Sequence, residues 1–79
     1  MPRLDHLPSI REGIVRRALI LDFLKTYHEI HGWAPNYREI GAAVGLSSPA
    51  TVKHQLGLMA REGSIRHDPL LSRAIQVLV

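Results

Sequence analysis

At 79 residues, with 46 % hydrophobic and 22 % charged side chains, the chain has room for one small domain and the composition of a folded one. It has no cysteine, which excludes disulfides and thiolate metal sites, and no run approaches the roughly 18 apolar residues of a membrane span. Its net charge of +3 and pI near 10.0 suit a polyanionic partner without identifying one.

Residues 1–8 read as an N-terminal arm, in which Arg3 could touch a phosphate. Asp5, His6 and Pro8 interrupt any signal-peptide core, so the expected location is the cytoplasm. Residues 9–79 read as the domain. Ser9 and Glu12 have the spacing of a capping box, and Gly13 weakens the turn that follows. The first helix is therefore either long with a soft first turn or begins afresh near Ile14. Up to Ile30 the pattern is helical. Leu21, Leu24 and Tyr27, with Ile14, Ala18 and Ile30, follow the 3.6-residue spacing, and Leu19, Ile20 and Phe23 widen the apolar surface. Gly32 ends this helix. Trp33-Ala34-Pro35 is the connector, with Trp33 expected over the edge of the core.

Asn36 and Glu39 form another capping-box pattern, and Ile40 and Val44 share one face of a short helix that Gly45 ends. Ser47-Ser48-Pro49 then starts a helix, with a serine cap and a proline at the first position. Val52, Leu56 and Met59 make its buried stripe, and Gly63 stops it. Two helices split by a short Gly-containing turn have the layout of a helix-turn-helix. Next come a short strand at Ile65-Arg66-His67, a loop over Asp68-Pro69-Leu70-Leu71-Ser72, and a β-prone stretch from Ala74 to Val79. Ile75, Val77 and Val79 lie on one face of that stretch. The fold class that results is mainly α with a small β-hairpin: a winged helix-turn-helix of three helices plus a wing.

With Val52 taken as inward and about 100° per residue, Ala50, His54, Gly57 and Arg61 face outward on the last helix, flanked by Thr51, Lys53 and Leu58. Small residues at the start of that face allow close approach to base edges. Thr51 offers a hydroxyl or a methyl, Lys53 can reach guanine or phosphate, and His54 can donate or accept. Ser48 serves either as a cap or as a base contact. Gln55 lies nearer the buried edge. Arg38, in the first turn of the short helix, is placed to touch phosphate, and Arg61, Arg66 and Arg73 could clamp the backbone. Arg11, Arg16 and Arg17 are read as a solvated face of the first helix. Leu58, Leu70 and Leu71 are apolar residues beside a polar face. They mark either a protein contact or a wing that folds back on itself.

Nothing supports catalysis. His28 and His31 stand three apart with no third ligand fixed nearby, and no nucleophile elbow or paired carboxylates occur. No metal site, catalytic residue or cofactor is expected.

Several segments together closely resemble the N-terminal DNA-binding domain of LexA repressors, the actinobacterial kind most of all. They are Gly32-Trp33-Ala34-Pro35, Arg38-Glu39-Ile40-Gly41, Val44-Gly45-Leu46-Ser47-Ser48, His54-Gln55-Leu56, Arg61-Glu62-Gly63, Arg66-His67-Asp68-Pro69 and Arg73-Ala74-Ile75. The resemblance runs roughly from Ile14 to Val77. It implies a bacterial regulator whose winged helix reads SOS-type operators in double-stranded DNA through the major groove. The base-reading positions it implies are Ser48, Ala50, Thr51, Lys53 and His54, with Arg66 and Arg73 approaching the backbone from the wing. Two copies are expected on a palindrome; the alternative use of the fold is a protein-interaction module, an adaptor or anti-repressor that does not bind DNA by itself, with the leucines as its contact.

The chain also departs from the family. LexA continues into a self-cleaving peptidase domain with a Ser–Lys pair. The only lysines here, Lys25 and Lys53, fall inside the DNA-binding module, so neither self-cleavage nor that domain's dimer contact is expected. Ile14 stands where the family has a Thr cap. Gly57 and Leu58 replace polar or long side chains, and Leu70 and Leu71 make the wing more apolar.

Overall fold

A computed structural model describes residues 8–71 and 73–79, with side chains from residue 12 onward. The arm up to residue 7, and Arg3 with it, lies outside the described residues. Helix α1 spans Pro8–His31, α2 Tyr37–Val44 and α3 Pro49–Glu62, followed by strands β1 at Ile65–His67 and β2 at Ile75–Val77.

Of the two forms open for the first helix, the long one holds. α1 passes through Gly13 without a break and opens at Pro8, one residue ahead of the Ser9 cap expected from sequence. A proline in the first turn loses no helical hydrogen bond. Gly32 closes the helix with φ 80°, its N–H reaching the His28 carbonyl at 2.8 Å. The capping box at α2 forms in full. Asn36 Oδ1 accepts from the Glu39 N–H at 2.8 Å, and the Asn36 N–H donates to Glu39 Oε1 at 2.9 Å. Gly45 and Gly63 end α2 and α3 in the left-handed conformation that glycine adopts without a Cβ clash.

The two strands pair antiparallel, Ile65 opposite Val77, Arg66 opposite Gln76 and His67 opposite Ile75. Asp68 turns the chain between them, its carboxylate accepting from the Leu70 N–H at 3.0 Å. β2 is shorter than its apolar pattern suggested. It stops at Val77, and Leu78 instead donates its N–H to the Ser64 carbonyl at 2.9 Å, which leaves Val79 exposed.

One core joins every element. Ile20 and Leu24 of α1 meet Ile40 of α2, Val52, Leu56 and Met59 of α3, and Ile65 of β1. The α3 stripe is the one read from spacing. The α1 stripe is not. Its inward line centres on Ile20 and Leu24, Leu21 is only partly buried, and Ile14, Leu19 and Ile30 are exposed. α1 is apolar on several sides, so spacing alone could not choose the inward one, and the position of α2 and α3 does so. Trp33 is likewise more exposed than expected, with 55 % of its surface open, and stacks on His31 at 5.9 Å rather than sealing the core.

Gly41 carries a requirement the sequence pattern did not expose. A Cβ there would lie 2.5 Å from the Leu46 carbonyl oxygen and 3.4 Å from Val52 Cγ2. The turn folds directly over α2 at this point, and the Leu46 N–H bonds back to the Gly41 carbonyl at 2.8 Å. That close approach fixes how α3 leaves the turn.

Candidate nucleic-acid interface

α3 starts with its polar groups unspent. Ser48 sits at the cap with extended backbone, φ −107° and ψ 125°, but its hydroxyl makes no capping bond. Its carbonyl takes the Thr51 N–H at 3.1 Å instead. Of its two expected roles, the side-chain cap is therefore not formed. Ala50, Thr51, Lys53, His54 and Gly57 are all exposed, and a shallow groove runs along this face from Ala50 to Arg61. Leu58 also lines that groove but is half-buried, which corrects its expected place among the open leucines.

A second groove joins the other expected elements. It is lined by Asn36, Tyr37 and Arg38, by Pro49 at the start of α3, and by Pro69, Leu70 and Leu71 at the wing tip. Arg38, the beginning of α3 and the wing therefore open on one side of the molecule. Leu70 is 87 % exposed and Leu71 60 %, so the wing does not fold back over them.

The basic residues divide into two sets. Arg16, Arg17 and Arg73 are held by internal partners. Arg17 reaches Gln55 Oε1 at 3.3 Å and Glu62 at 3.4 Å, and Arg16 reaches the Gly45 carbonyl at 3.5 Å. They brace α1 against the helix-turn-helix, which corrects the solvated face expected for them. Gln55 thus bonds a side chain rather than backbone. Arg73 is bound more tightly. Its Nη1 lies 2.9 Å from Glu39 Oε1, 2.9 Å from the Ala34 carbonyl and 3.3 Å from the Tyr27 hydroxyl. Expected as a backbone clamp, it has its guanidinium turned toward α2 and the end of α1. The second set is Lys25 on α1, Arg38, Lys53, Arg61 and Arg66. Each is exposed and, among the described residues, makes no side-chain hydrogen bond or ion pair within the chain. Arg66 projects from the outer face of the hairpin, opposite Gln76.

Sequence reading missed the pair that joins the wing to α2. The Tyr37 hydroxyl lies 2.6 Å from His67 Nε2, and the rings meet edge-on at 5.7 Å. Burial, and then the Asp68 carboxylate, push the Tyr37 phenol up. Burial, and then the nearby Lys53 charge, push His67 below its ordinary value, against the opposing pull of Asp68. Both shifts favour the neutral forms at neutral pH, and the tautomer of His67 sets which of the two donates. No local motif could have signalled this, since 30 residues separate the partners.

Among the described residues, no group of three or more His, Asp or Glu side chains is placed to hold a metal ion, and no helix is long and apolar enough to cross a membrane.

Three helices, a two-stranded wing and an open recognition helix define the class as a winged helix-turn-helix DNA-binding domain. Residues 10–74 match the LexA DNA binding domain, and the chain belongs to that family. It is 46 % identical over 74 residues to the LexA repressor of Bifidobacterium adolescentis, covering 94 % of this chain and 29 % of that protein. Against the LexA repressor of a Parafrankia species it is 39 % identical over 72 residues, covering 90 % and 29 %. Against that of a Geobacillus species it is 46 % identical over 63 residues, covering 80 % and 30 %. The chain thus spans about three tenths of the length of these relatives, and the family match covers the DNA-binding domain alone.

Proposed function

We propose that the chain is a transcriptional repressor module that reads a palindromic, SOS-type operator in double-stranded DNA. α3 enters the major groove with Ser48, Ala50, Thr51, Lys53 and His54 toward the base edges. Arg38, Arg61 and Arg66 neutralise phosphates around it. We leave Arg73 out of that set, because its guanidinium already has three internal partners. Two copies occupy the two half-sites, since one module of this size gains limited specificity alone.

The observation that carries this reading is the division of the cations. Arg16, Arg17 and Arg73 are spent on internal contacts, while Lys53 and Arg61 on the open groove of α3, and Arg38 beside the start of that helix, are left unpaired among the described residues. Unpaired Lys and Arg beside an exposed helix start are what displacement of phosphate counterions requires. A fluorescence-anisotropy titration with a palindromic SOS-type duplex and a scrambled one, at two salt concentrations, tests it. Preference for the palindrome that persists at the higher salt is expected. Equal binding to both duplexes, lost together as salt rises, would leave the chain a non-specific binder.

The wing leucines favour a second reading, in which the module also makes a protein contact. Leu70 and Leu71 are the most open apolar pair on the hairpin. On that reading, Leu70→Ser with Leu71→Ser lowers the association state measured by sedimentation while the thermal midpoint holds. An unchanged sedimentation profile rejects it.

A further inference from the structure

We propose that Arg73 is a positioning residue for DNA binding. It fixes the wing against the helix-turn-helix through Glu39 and Tyr27, and does not itself touch DNA. This rests on the DNA-binding reading above and adds how the two halves of the interface are held in register.

The geometry is specific. Arg73 is the one described residue other than glycine with positive φ, at 62°. A left-handed arginine is strained, and such conformations persist where surrounding contacts over-determine them. Those contacts are on the other side of the molecule in sequence. Arg73 Nη1 reaches Ala34 in the connector, Glu39 in α2 and Tyr27 in α1, across 39, 34 and 46 residues. The acceptors are themselves organised. Glu39 Oε2 takes the Tyr27 hydroxyl at 2.6 Å, while Glu39 Oε1 takes the Asn36 N–H of the capping box. One carboxylate therefore starts α2, receives α1 and receives the wing. The other leg of the hairpin is tied to the same turn of α2 through His67 and Tyr37. Both legs of the wing are pinned to the first turn of α2, the turn that carries Arg38 on the phosphate side. The hairpin is only three residue pairs long and could not hold an angle by itself. Two anchored legs give the wing one orientation relative to α3. Misplacing it would weaken operator binding by moving Arg66 and the wing tip away from the backbone, although Arg73 itself makes no contact to DNA.

This makes a prediction that a direct phosphate contact reverses. Arg73→Gln, Arg73→Lys and Glu39→Gln are compared with the unaltered chain by anisotropy on the palindromic and scrambled duplexes across a salt series. Gln keeps the helix-capping function at position 39 and removes the charge that Arg73 meets. A positioning role predicts that all three lose roughly tenfold or more on the palindrome and little on the scrambled duplex. It further predicts that the salt slope moves alike in Arg73→Gln, Arg73→Lys and Glu39→Gln, with little added loss when Glu39→Gln is combined with Arg73→Gln. A phosphate contact predicts the opposite. Arg73→Gln lowers the salt slope by roughly 0.9, Arg73→Lys retains most of the binding, and Glu39→Gln tightens it by removing a negative charge.

A second measurement reads the wing without DNA. The chain has no cysteine, so spin labels at Ala43→Cys and Leu71→Cys report one distance from α2 to the wing. That distance distribution broadens in Arg73→Gln if the pin sets the wing angle. A distribution as narrow as in the unaltered protein overturns the proposal. Failure of the unaltered chain to separate the two duplexes overturns the DNA reading and this proposal together, whereas the variant outcomes overturn this proposal alone.

Discussion

Two helical glycines carry opposite expectations. At Gly41 a methyl group would meet the Leu46 carbonyl oxygen at 2.5 Å, and that oxygen belongs to backbone that cannot swing aside. Gly41→Ala should therefore destabilise the fold by about 1–3 kcal/mol, the range for forcing atoms into a packed site. At Gly57 nothing lies within 4 Å of the same methyl. Gly57→Ala should raise stability by about 0.5–1 kcal/mol, because alanine gives up less backbone freedom in a helix. Urea unfolding of both variants checks the pair, and the same sign for both would contradict the geometry. Sequence alone gave a hint of Gly41, since a glycine inside an eight-residue helix is costly without a packing reason. It could not give the reason, because Leu46 approaches only once the turn has closed. Arg73 shows a related limit of local reading. Its place in the wing suggested phosphate, while its partners stand 34 to 46 residues away.

The elements divide by how local their signals are. α2 and α3 were legible nearly to the residue, because caps, glycines and the Val52–Leu56–Met59 stripe lie within the segments they define. α1 was legible as a helix but not in its facing, since its apolar residues cover more than one side. The wing was legible as a hairpin, but its attachment to α2 was not. That attachment brings a pH dependence. His67 holds its proton less readily in the folded chain than its ordinary value near 6.5, through burial first and Lys53 second. Between the lowered value and about 6.5 the unfolded chain binds the proton more readily, so folding stability falls as pH drops through that window and is full above it. Thermal midpoints measured at about pH 7.5 and about pH 5.5 should separate more for the unaltered chain than for His67→Gln. Equal separation would place the sensitivity elsewhere.

At the scale of the molecule, Lys53 and Arg61 share the open groove of α3, and Arg38 shares a second groove with the start of that helix and the wing tip. The LexA DNA-binding family supplies the context in which such a face reads DNA. The resemblance to the family supplies Ser48, Ala50, Thr51, Lys53 and His54 as candidate base-reading positions, and the face opposite Val52 carries Ala50 and His54 with Thr51 and Lys53 beside them. Sequence could not sort clamps from braces, which depends on which acceptors lie within reach. The central claim is that α3 reads bases while the arginines around it only hold the backbone. Selection of bound duplexes from a randomised pool tests this most directly, using the unaltered chain, an Arg66→Ala variant and a Lys53→Ala, His54→Ala double variant. A palindromic preference is expected in the first, and the same preference with weaker binding and a salt slope smaller by roughly 0.9 in the second. In the third, the preference should relax at the matching positions of each half-site. An unchanged preference in the double variant, or a changed one in Arg66→Ala, would contradict it.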